Sequence, residues 1–244
     1  MAASLGIAKT RLGDPACDLM LAVTEQRLEL RVIKGEADLV GGKPVYADLS
    51  AIDTTSSAGR KLDMPLLKAV GIKKGDPHRP RVIDCTAGFG EDAWLLASHG
   101  CTVKAIERQP VIAALLTDAV ARAAQVAPET AERITPRTTS AVDWLTAQAL
   151  SREPQACSPD AVVLDPMFPL GRKAKERKPM RVLRMLAGDD DDAPALLDAA
   201  LRTGARRVCI KRPLHAAPIA HPKRGKPDVV HKGKAVRFDV YINP

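Results

Sequence analysis

Residues Arg81–Trp94 read RVIDCTAGFGEDAW and join a short apolar run to a segment with helical character. The apolar run ends in Asp84, and the turn that follows contains Gly88 and Gly90. Glycines at such a point permit a tight turn and let the backbone approach a ligand closely. The stretch is typical of the cofactor corner of a parallel α/β sheet, so Asp84, Gly88 and Gly90 are candidate cofactor-binding residues.

The two residues after this turn indicate the chemistry of the ligand. Glu91 and Asp92 occupy the first helical turn, where a dinucleotide site would offer bare N–H groups to a pyrophosphate. Two carboxylates repel a pyrophosphate, which disfavours a dehydrogenase. They suit a positively charged ligand without phosphates, such as S-adenosylmethionine, and are candidate contacts to it. Carboxylates in a first turn also complement the helix dipole, and that alternative stays open for Glu91.

Beyond Pro80 the chain repeats strand, turn and helix, the pattern of a doubly wound parallel sheet. The predicted strands are 81–85, 103–107, 133–138, 161–165, 207–211, 228–231 and 237–242, and the predicted helices are 91–99, 110–125, 141–150 and 193–203. A short connection predicts that the last two strands form an antiparallel hairpin. This α/β, Rossmann-like arrangement is that of class I S-adenosylmethionine-dependent methyltransferases, and we assign it to residues 61–244.

Residues 1–60 have a different pattern and are predicted to form a small β-rich appendage. Residues 27–33 alternate polar and apolar side chains, and a second pair of strand-like runs surrounds Gly41 and Gly42, as in a two-residue hairpin. Residues 54–61 have the composition of a loop. A short apolar helix is predicted over 64–71.

Polar residues at the ends of the next two predicted strands complete the cofactor site. Glu107 follows Gly88 by 19 residues, where a carboxylate can accept hydrogen bonds from both ribose hydroxyls, and Arg108 comes directly after it. Thr139 and Ser140 end the third strand. Ser140 is expected to cap the following helix or to contact the adenosine, and the two roles are compatible.

The fourth strand ends in VVLDPMFP, in which Asp165 is followed by Pro166, Met167 and Phe168. Amino-directed nucleic-acid methyltransferases carry a D/N-P-P-aromatic tetrapeptide at this point, and Asp-Pro-Met-Phe is similar to it. A carboxylate and a carbonyl that accept the two hydrogens of a base amine can hold it in place, and Phe168 can stack on the base. Asp165, Pro166 and Phe168 are therefore the catalytic candidates, and Asp165 also a cofactor contact. A plain strand-to-loop turn with a buried Phe is the alternative.

The positive charge of the chain is concentrated in its last third. Residues 1–169 hold 19 basic and 21 acidic residues, a net charge of −2, whereas residues 170–244 hold 18 and 8, a net charge of +10. Such asymmetry favours a polyanionic partner on one side. The segment after Pro169 is interpreted as a basic loop, and the candidate RNA-binding residues are Arg172, Lys173, Lys175, Arg177, Lys178, Lys211 and Arg212.

The composition also limits the class of protein. Five single cysteines without a C-x-x-C pair predict neither a metal site nor a disulfide framework, and fit a cytoplasmic location. The N-terminus lacks the apolar core of a signal peptide, and no run is long enough to span a membrane.

Five segments together resemble the ribosomal RNA small subunit methyltransferase J family. They are CTAGFGEDAWLLASHGC, IERQPVIAALL, VVLDPMFP, IKRP and RFDVYI, and the resemblance runs from about Leu66 to Ile242. It implies methylation of the N2 amine of a guanine in 16S ribosomal RNA with S-adenosylmethionine, on the RNA or the assembling 30S particle. By position it implies cofactor contacts at Glu91, Asp92, Glu107, Arg108, Thr139, Ser140 and Asp165. Ahead of Leu66 the family tends to carry a basic, glycine-rich segment, where this chain reads IDTTSSAGRKLD.

Two other functions remain open on the sequence. One is amino-directed methylation of another RNA or DNA base, because Asp in the tetrapeptide does not distinguish the bases. The other is a ribosome-assembly protein that binds RNA without turnover, and the presence of Glu107, Asp165 and Phe168 argues against it.

Overall fold

The structure is a computed structural model that describes residues 5–8, 17–150, 158–167, 177–188, 192–219 and 221–243. In chain order its strands are β1 (Leu19–Val23), β2 (Leu28–Val32), β3 (Arg81–Asp84), β4 (Thr102–Glu107), β5 (Ile134–Thr138), β6 (Ala161–Leu164), β7 (Arg207–Pro213), β8 (Val229–Lys232) and β9 (Val236–Ile242). The helices are α1 (Pro65–Val70), α2 (Glu91–Ser98), α3 (Pro110–Ala123), α4 (Pro128–Ala131), α5 (Ala141–Leu150), α6 (Lys178–Ala187) and α7 (Ala193–Arg202).

Seven strands form the central sheet in the order β5-β4-β3-β6-β7-β9-β8. Strands β3 to β7 pair in parallel, whereas β9 runs antiparallel to both β7 and β8. The predicted α/β fold with a C-terminal antiparallel hairpin is confirmed. The strand order reverses between β3 and β6, and in open α/β sheets this is where ligands bind, beyond the carboxyl ends of the strands.

Two apolar layers cover the sheet because successive strand residues point to opposite faces. On one face Val82, Val103 and Val163 pack with α1, α2 and α3. On the other face Ile83 and Val162 pack with α5 and α7. Strands buried on both sides explain the continuous apolar runs that predicted them.

The N-terminal region contains a two-stranded sheet, and the predicted run 27–33 forms one of its strands, β2. Strand β1 pairs antiparallel with β2, and the turn is closed by hydrogen bonds between Thr24 and Arg27. The hairpin predicted around Gly41 and Gly42 is wrong. Residues 36–42 form turns instead, with Leu39 buried, and Val45 makes only an isolated bridge to Leu30 of β2.

The N-terminal sheet packs onto the α/β fold rather than standing apart from it. Leu30 and Leu49 belong to the same buried cluster as Leu116 of α3. Arg122 of α3 donates to the carbonyl of Ala47. The division of the chain near residue 60 stays a prediction, and a shared core links its two sides.

Helix α6 is a correction to the predicted basic loop. The helix is stabilised by two buried apolar side chains, Val182 and Leu183, which pack in the main hydrophobic core. On its polar side Lys178 Nζ donates to the carbonyl of Leu39 at 2.9 Å, and Arg181 pairs with Glu36 and Asp38. These bonds tie the basic segment to the acidic stretch that follows β2. The short helix α4 was also not predicted.

Candidate active site

A cavity of about 600 Å³, its open mouth included, lies at the carboxyl ends of β3, β4 and β6. Its walls contain both polar and apolar side chains. They are formed by Cys85, Thr86, Gly88, Glu107, Arg108, Ile112, Ser140, Ala141, Val142, Asp165, Met167, Ala187, Asp192 and Leu196.

Glu107 is held at the end of β4 by two backbone groups. The N–H of Gly88 donates to Oε2 at 3.0 Å, and the N–H of Gln109 donates to Oε1 at 2.8 Å. The residue is buried, with 8% of its surface exposed. Because both carboxylate oxygens have a fixed direction, Glu107 is preorganised for a ligand that brings paired hydroxyl donors.

The glycine turn that predicted the site has the conformation that requires glycine. Gly88 and Gly90 have φ values of 53° and 84°, in the left-handed region that side chains disfavour. A Cβ atom on Gly90 would also overlap Cδ1 of Leu116 in α3. The turn therefore brings α2 against α3 and leaves the Gly88 N–H directed at Glu107.

The other side of the cavity is formed by the start of α5 and by α7. The N–H of Asp143 donates to Ser140 Oγ at 3.3 Å, which confirms that Ser140 caps α5, while Ser140 also lines the cavity. Arg108 Nη1 and Asp192 Oδ2 form an ion pair at 3.0 Å across this side. The N–H of Thr139 donates to the Glu107 carbonyl, so its backbone joins β5 to β4 rather than lining the cavity.

Asp165 lies directly after β6 and is fixed at its backbone and at its side chain. Its N–H donates to Thr86 Oγ1 at 2.7 Å, and its Oδ2 lies 2.9 Å from Lys211 Nζ. The same ammonium lies 2.8 Å from Asp92 Oδ2. Burial alone would lower the pKa of Lys211, but Asp92 and Asp165 raise it well above its usual range. Lys211 is therefore charged, and it is shared by two carboxylates.

Asp84 is a third carboxylate near this group. It is buried at the end of β3, and Thr86 N–H donates to its Oδ1 at 3.2 Å. Burial, followed by repulsion from Asp92 and Asp165, raises its pKa from 3.8 to about 8. A buried carboxyl among like charges keeps its proton because the ionised form loses hydration and gains repulsion. Asp84 therefore holds its proton to a higher pH than an exposed carboxyl does.

The structure brings some of the predicted site residues together and separates others. Gly88, Glu107, Arg108, Ser140 and Asp165 line the cavity. Glu91 is exposed on α2, and Asp92 points to Lys211. The described lining residues do not include these two residues, nor Asp84, Gly90, Thr139 and the buried Pro166. Phe168 lies outside the described residues. The roles of all these residues in cofactor binding and catalysis stay predictions.

The candidate RNA-binding residues differ in exposure, and the described ones do not form one continuous basic surface. Arg177 is exposed at the start of α6, and Lys178 bonds to the Leu39 carbonyl. Lys211 belongs to the carboxylate group, and Arg212 is buried, with Nη2 donating to the Ala217 carbonyl at 2.5 Å. Because Lys211 is half-buried, these two positions do not form an exposed basic edge, and RNA binding by them stays a prediction. Arg172, Lys173 and Lys175 lie outside the described residues.

Several cavity residues were not singled out from the sequence. Thr86 lies inside the glycine turn, and its hydroxyl fixes Asp165, which no spacing rule predicts. Ile112, Val142 and Leu196 form an apolar wall from three helices. Asp192, directly before α7, pairs with Arg108 at the cavity.

Comparison with known proteins assigns the chain to a family. Residues 5–243 match the family model "Putative SAM-dependent methyltransferase". A relative from Nitrosococcus oceani is 41% identical over 95% of this chain and 86% of its own length, and one from Photobacterium profundum is 42% identical over 91% and 85%. One from Thioalkalivibrio sulfidiphilus is 49% identical over 73% and 67%. All three bear the name ribosomal RNA small subunit methyltransferase J.

The chain belongs to the ribosomal RNA small subunit methyltransferase J family. The resemblance found in the sequence is thereby confirmed. A solved SAM-dependent methyltransferase from Neisseria gonorrhoeae is 31% identical to this chain. Its TM-score is 0.62, and the match covers 89% of this chain and 79% of the other. The cofactor of this methyltransferase J family member is S-adenosylmethionine.

The cavity of this methyltransferase J family member fits that cofactor. Glu107 presents an oriented carboxylate to the cavity, and Ile112, Val142 and Leu196 form an apolar wall. Asp165 places negative charge in the same cavity, as a cationic ligand requires. Among the described residues no helix is long and apolar enough to cross a membrane, and no group of three or more His, Cys, Asp or Glu side chains could hold a metal ion.

Proposed function

We propose that this protein transfers a methyl group from S-adenosylmethionine to the exocyclic N2 amine of a guanine in small-subunit ribosomal RNA. The observation that carries the proposal is Asp165, whose carboxylate lines the cavity inside the Asp-Pro-Met-Phe stretch. The names of the relatives support ribosomal RNA as the substrate class. We propose that the RNA is methylated within the assembling 30S particle and that the reaction takes place in the cytoplasm.

The residues around the cavity would hold the cofactor in one orientation. Glu107 would accept hydrogen bonds from the ribose, and Ile112, Val142 and Leu196 would pack against the adenine. Bound S-adenosylmethionine supplies an electrophilic methyl group on its sulfonium. The predicted contacts at Gly88, Arg108 and Ser140 are in keeping with this placement, because these residues line the same walls.

Asp165 would act on the acceptor rather than on the cofactor's ribose. The nitrogen of a base amine is a weak nucleophile because its lone pair is delocalised into the ring. A carboxylate that accepts an amine hydrogen holds the nitrogen so that its lone pair is directed at the methyl carbon. Pro166 stiffens the backbone after Asp165 and offers no competing N–H, and Phe168 is proposed to stack on the base.

The proton balance needs no strong base in the protein. Methyl transfer makes the amine nitrogen positively charged and strongly acidic, so its proton leaves once the new bond has formed. Asp165 accepts a hydrogen bond from this amine and keeps the developing positive charge next to a carboxylate. Its role is therefore orientation and electrostatic stabilisation.

Docking of the RNA is assigned to the basic last third of the chain. The net charge of +10 over residues 170–244 supports it, and Arg177 is an exposed described member. The proposal keeps Arg172, Lys173, Lys175 and Lys178 as phosphate contacts. Because Lys211 and Arg212 are half-buried and buried, we do not assign phosphate contacts to them.

The experiment is nucleoside mass spectrometry of small-subunit ribosomal RNA from cells with and without the gene. We expect one N2-methylguanosine to disappear from the RNA and to return when the wild-type gene is supplied. Loss of a methyl group from another base would replace the proposed target, and unchanged RNA would refute the proposed reaction.

A further inference from the structure

Lys211 forms an ion pair with Asp165, the carboxylate at the proposed reaction centre. It lies on β7, next to β6, because Ile210 pairs in register with Leu164, and Lys211 is then level with Asp165. Its ammonium bonds to Asp165 at 2.9 Å and to Asp92, in the first turn of α2, at 2.8 Å. One side chain thus joins β7 to the end of β6 and to the first turn of α2.

Lys211 is less exposed to solvent than the Asp165 carboxylate with which it pairs. Only 24% of the lysine side chain is exposed, compared with 42% for Asp165. Ion pairs that are partly removed from water are screened less than those on the surface. A lysine in this position also costs hydration, and a phosphate outside the cavity would have to compete with two carboxylates already bonded to the ammonium.

The neighbouring charges give the ammonium a specific task. The Lys211 ammonium pairs with two carboxylates, those of Asp92 and Asp165. Without it, a carboxylate next to other carboxylates takes up a proton more readily. A protonated Asp165 has one oxygen that donates rather than accepts, and it no longer holds an amine hydrogen in the same way.

We propose that Lys211 is a positioning residue for methyl transfer, which fixes the direction of the Asp165 carboxylate and keeps it ionised for the acceptor amine. The inference rests on the proposed function. It replaces the phosphate contact that the sequence predicted at this position. Thr86 fixes the Asp165 backbone and Lys211 fixes its side chain, so the carboxylate has support at both ends.

The test compares Lys211→Met and Lys211→Arg with wild type in single-turnover methyl transfer to small subunits isolated from cells without the gene. Lys73→Met, an exposed lysine beyond α1, is the matched control for loss of a surface charge. RNA and S-adenosylmethionine are both saturating, and rates are measured from pH 5 to 9. We expect Lys211→Met to lower the rate at pH 7 roughly 10- to 100-fold, as loss of orientation does.

Two further readouts separate positioning from structure. The acidic limb of the rate profile should move up by about 1–3 pH units in Lys211→Met, because a carboxylate that loses its cation has a raised pKa. Lys211→Arg should restore most of the rate and the position of the limb, and RNA affinity should be unchanged in both variants. Melting curves identify any variant that is not folded. If Lys211→Met is not folded, the test depends on Lys211→Arg, whose rate profile must keep its acidic limb at the wild-type pH.

Two outcomes overturn the proposal. One is a Lys211→Met protein with the wild-type rate and profile at saturating RNA, and the other is a variant whose RNA affinity falls while its rate is kept. A wild-type protein that binds S-adenosylmethionine but transfers no methyl to guanine refutes the proposed function instead. That failure is seen without any variant and is distinguishable from failure at Lys211.

Discussion

Replacing Glu107 by Gln tests the cofactor site at its best-defined residue. The carboxylate accepts N–H bonds from Gly88 and Gln109 at its two oxygens. An amide has one oxygen and one NH₂ group, so one backbone N–H meets a donor, and the ribose loses a charged acceptor. Hydrogen bonds to charged groups contribute about 1.5–3 kcal/mol each, so loss of one corresponds to roughly a 10- to 150-fold weaker Kd.

The assay is isothermal titration of S-adenosylmethionine into wild type, Glu107→Gln and the control Glu132→Gln. Glu132 is exposed at the end of α4, so the control has the same change in charge far from the cavity walls. We expect the control to bind like wild type. Equal Kd values for Glu107→Gln and wild type, with both proteins folded, would refute the ribose contact and the placement of the cofactor.

Two more predictions follow from the charges. The pKa of Asp84 is raised from 3.8 to about 8, so the folded protein holds its proton more tightly than the unfolded chain. The free energy of unfolding of wild type, relative to Asp84→Asn, should therefore be highest below about pH 4 and should fall as the pH rises to about 8, by at most ~1.4 kcal/mol per pH unit. Denaturant unfolding at several pH values measures this difference, and a difference that does not change with pH would contradict the prediction. Neutralising four basic residues should reduce the log–log salt slope of RNA binding by roughly 0.7–0.9 for each phosphate that is no longer neutralised, with cofactor affinity unchanged, and an unchanged slope would exclude them from the RNA interface. These residues are Arg172, Lys173, Lys175 and Arg177.

The parallel part of the fold was predictable because its signals are local. Buried strands are apolar on both faces, and glycine turns and helix ends punctuate them, so the strands from Arg81 onward and their helices were found close to their observed ends. The N-terminal hairpin was misplaced because Gly41–Gly42 is a stronger turn signal than Thr24–Arg27. The turn at Thr24–Arg27 is set by a threonine hydroxyl and by packing onto α3, which no short-range pattern shows.

The candidate site was predictable where it depends on strand ends. Glu107 and Asp165 follow parallel strands, and such residues meet at one edge of a sheet. Lys211 ends the predicted strand 207–211, but the sequence does not distinguish its charge from those of the basic segments around it. Only the strand order, which places β7 beside β6, shows that its ammonium contacts Asp165.

Methyl transfer by Asp165→Ala tests the central claim most directly. Wild type and variant are mixed with labelled S-adenosylmethionine and small subunits isolated from cells without the gene, and the modified nucleoside is identified by mass spectrometry after a single turnover. We predict N2-methylguanosine with wild type and at least a 100-fold lower rate with Asp165→Ala, on the order of a lost orienting group, while RNA affinity stays within about twofold, since many phosphate contacts hold the RNA. A variant that methylates at the wild-type rate would contradict the account, because Asp165 would then be structural.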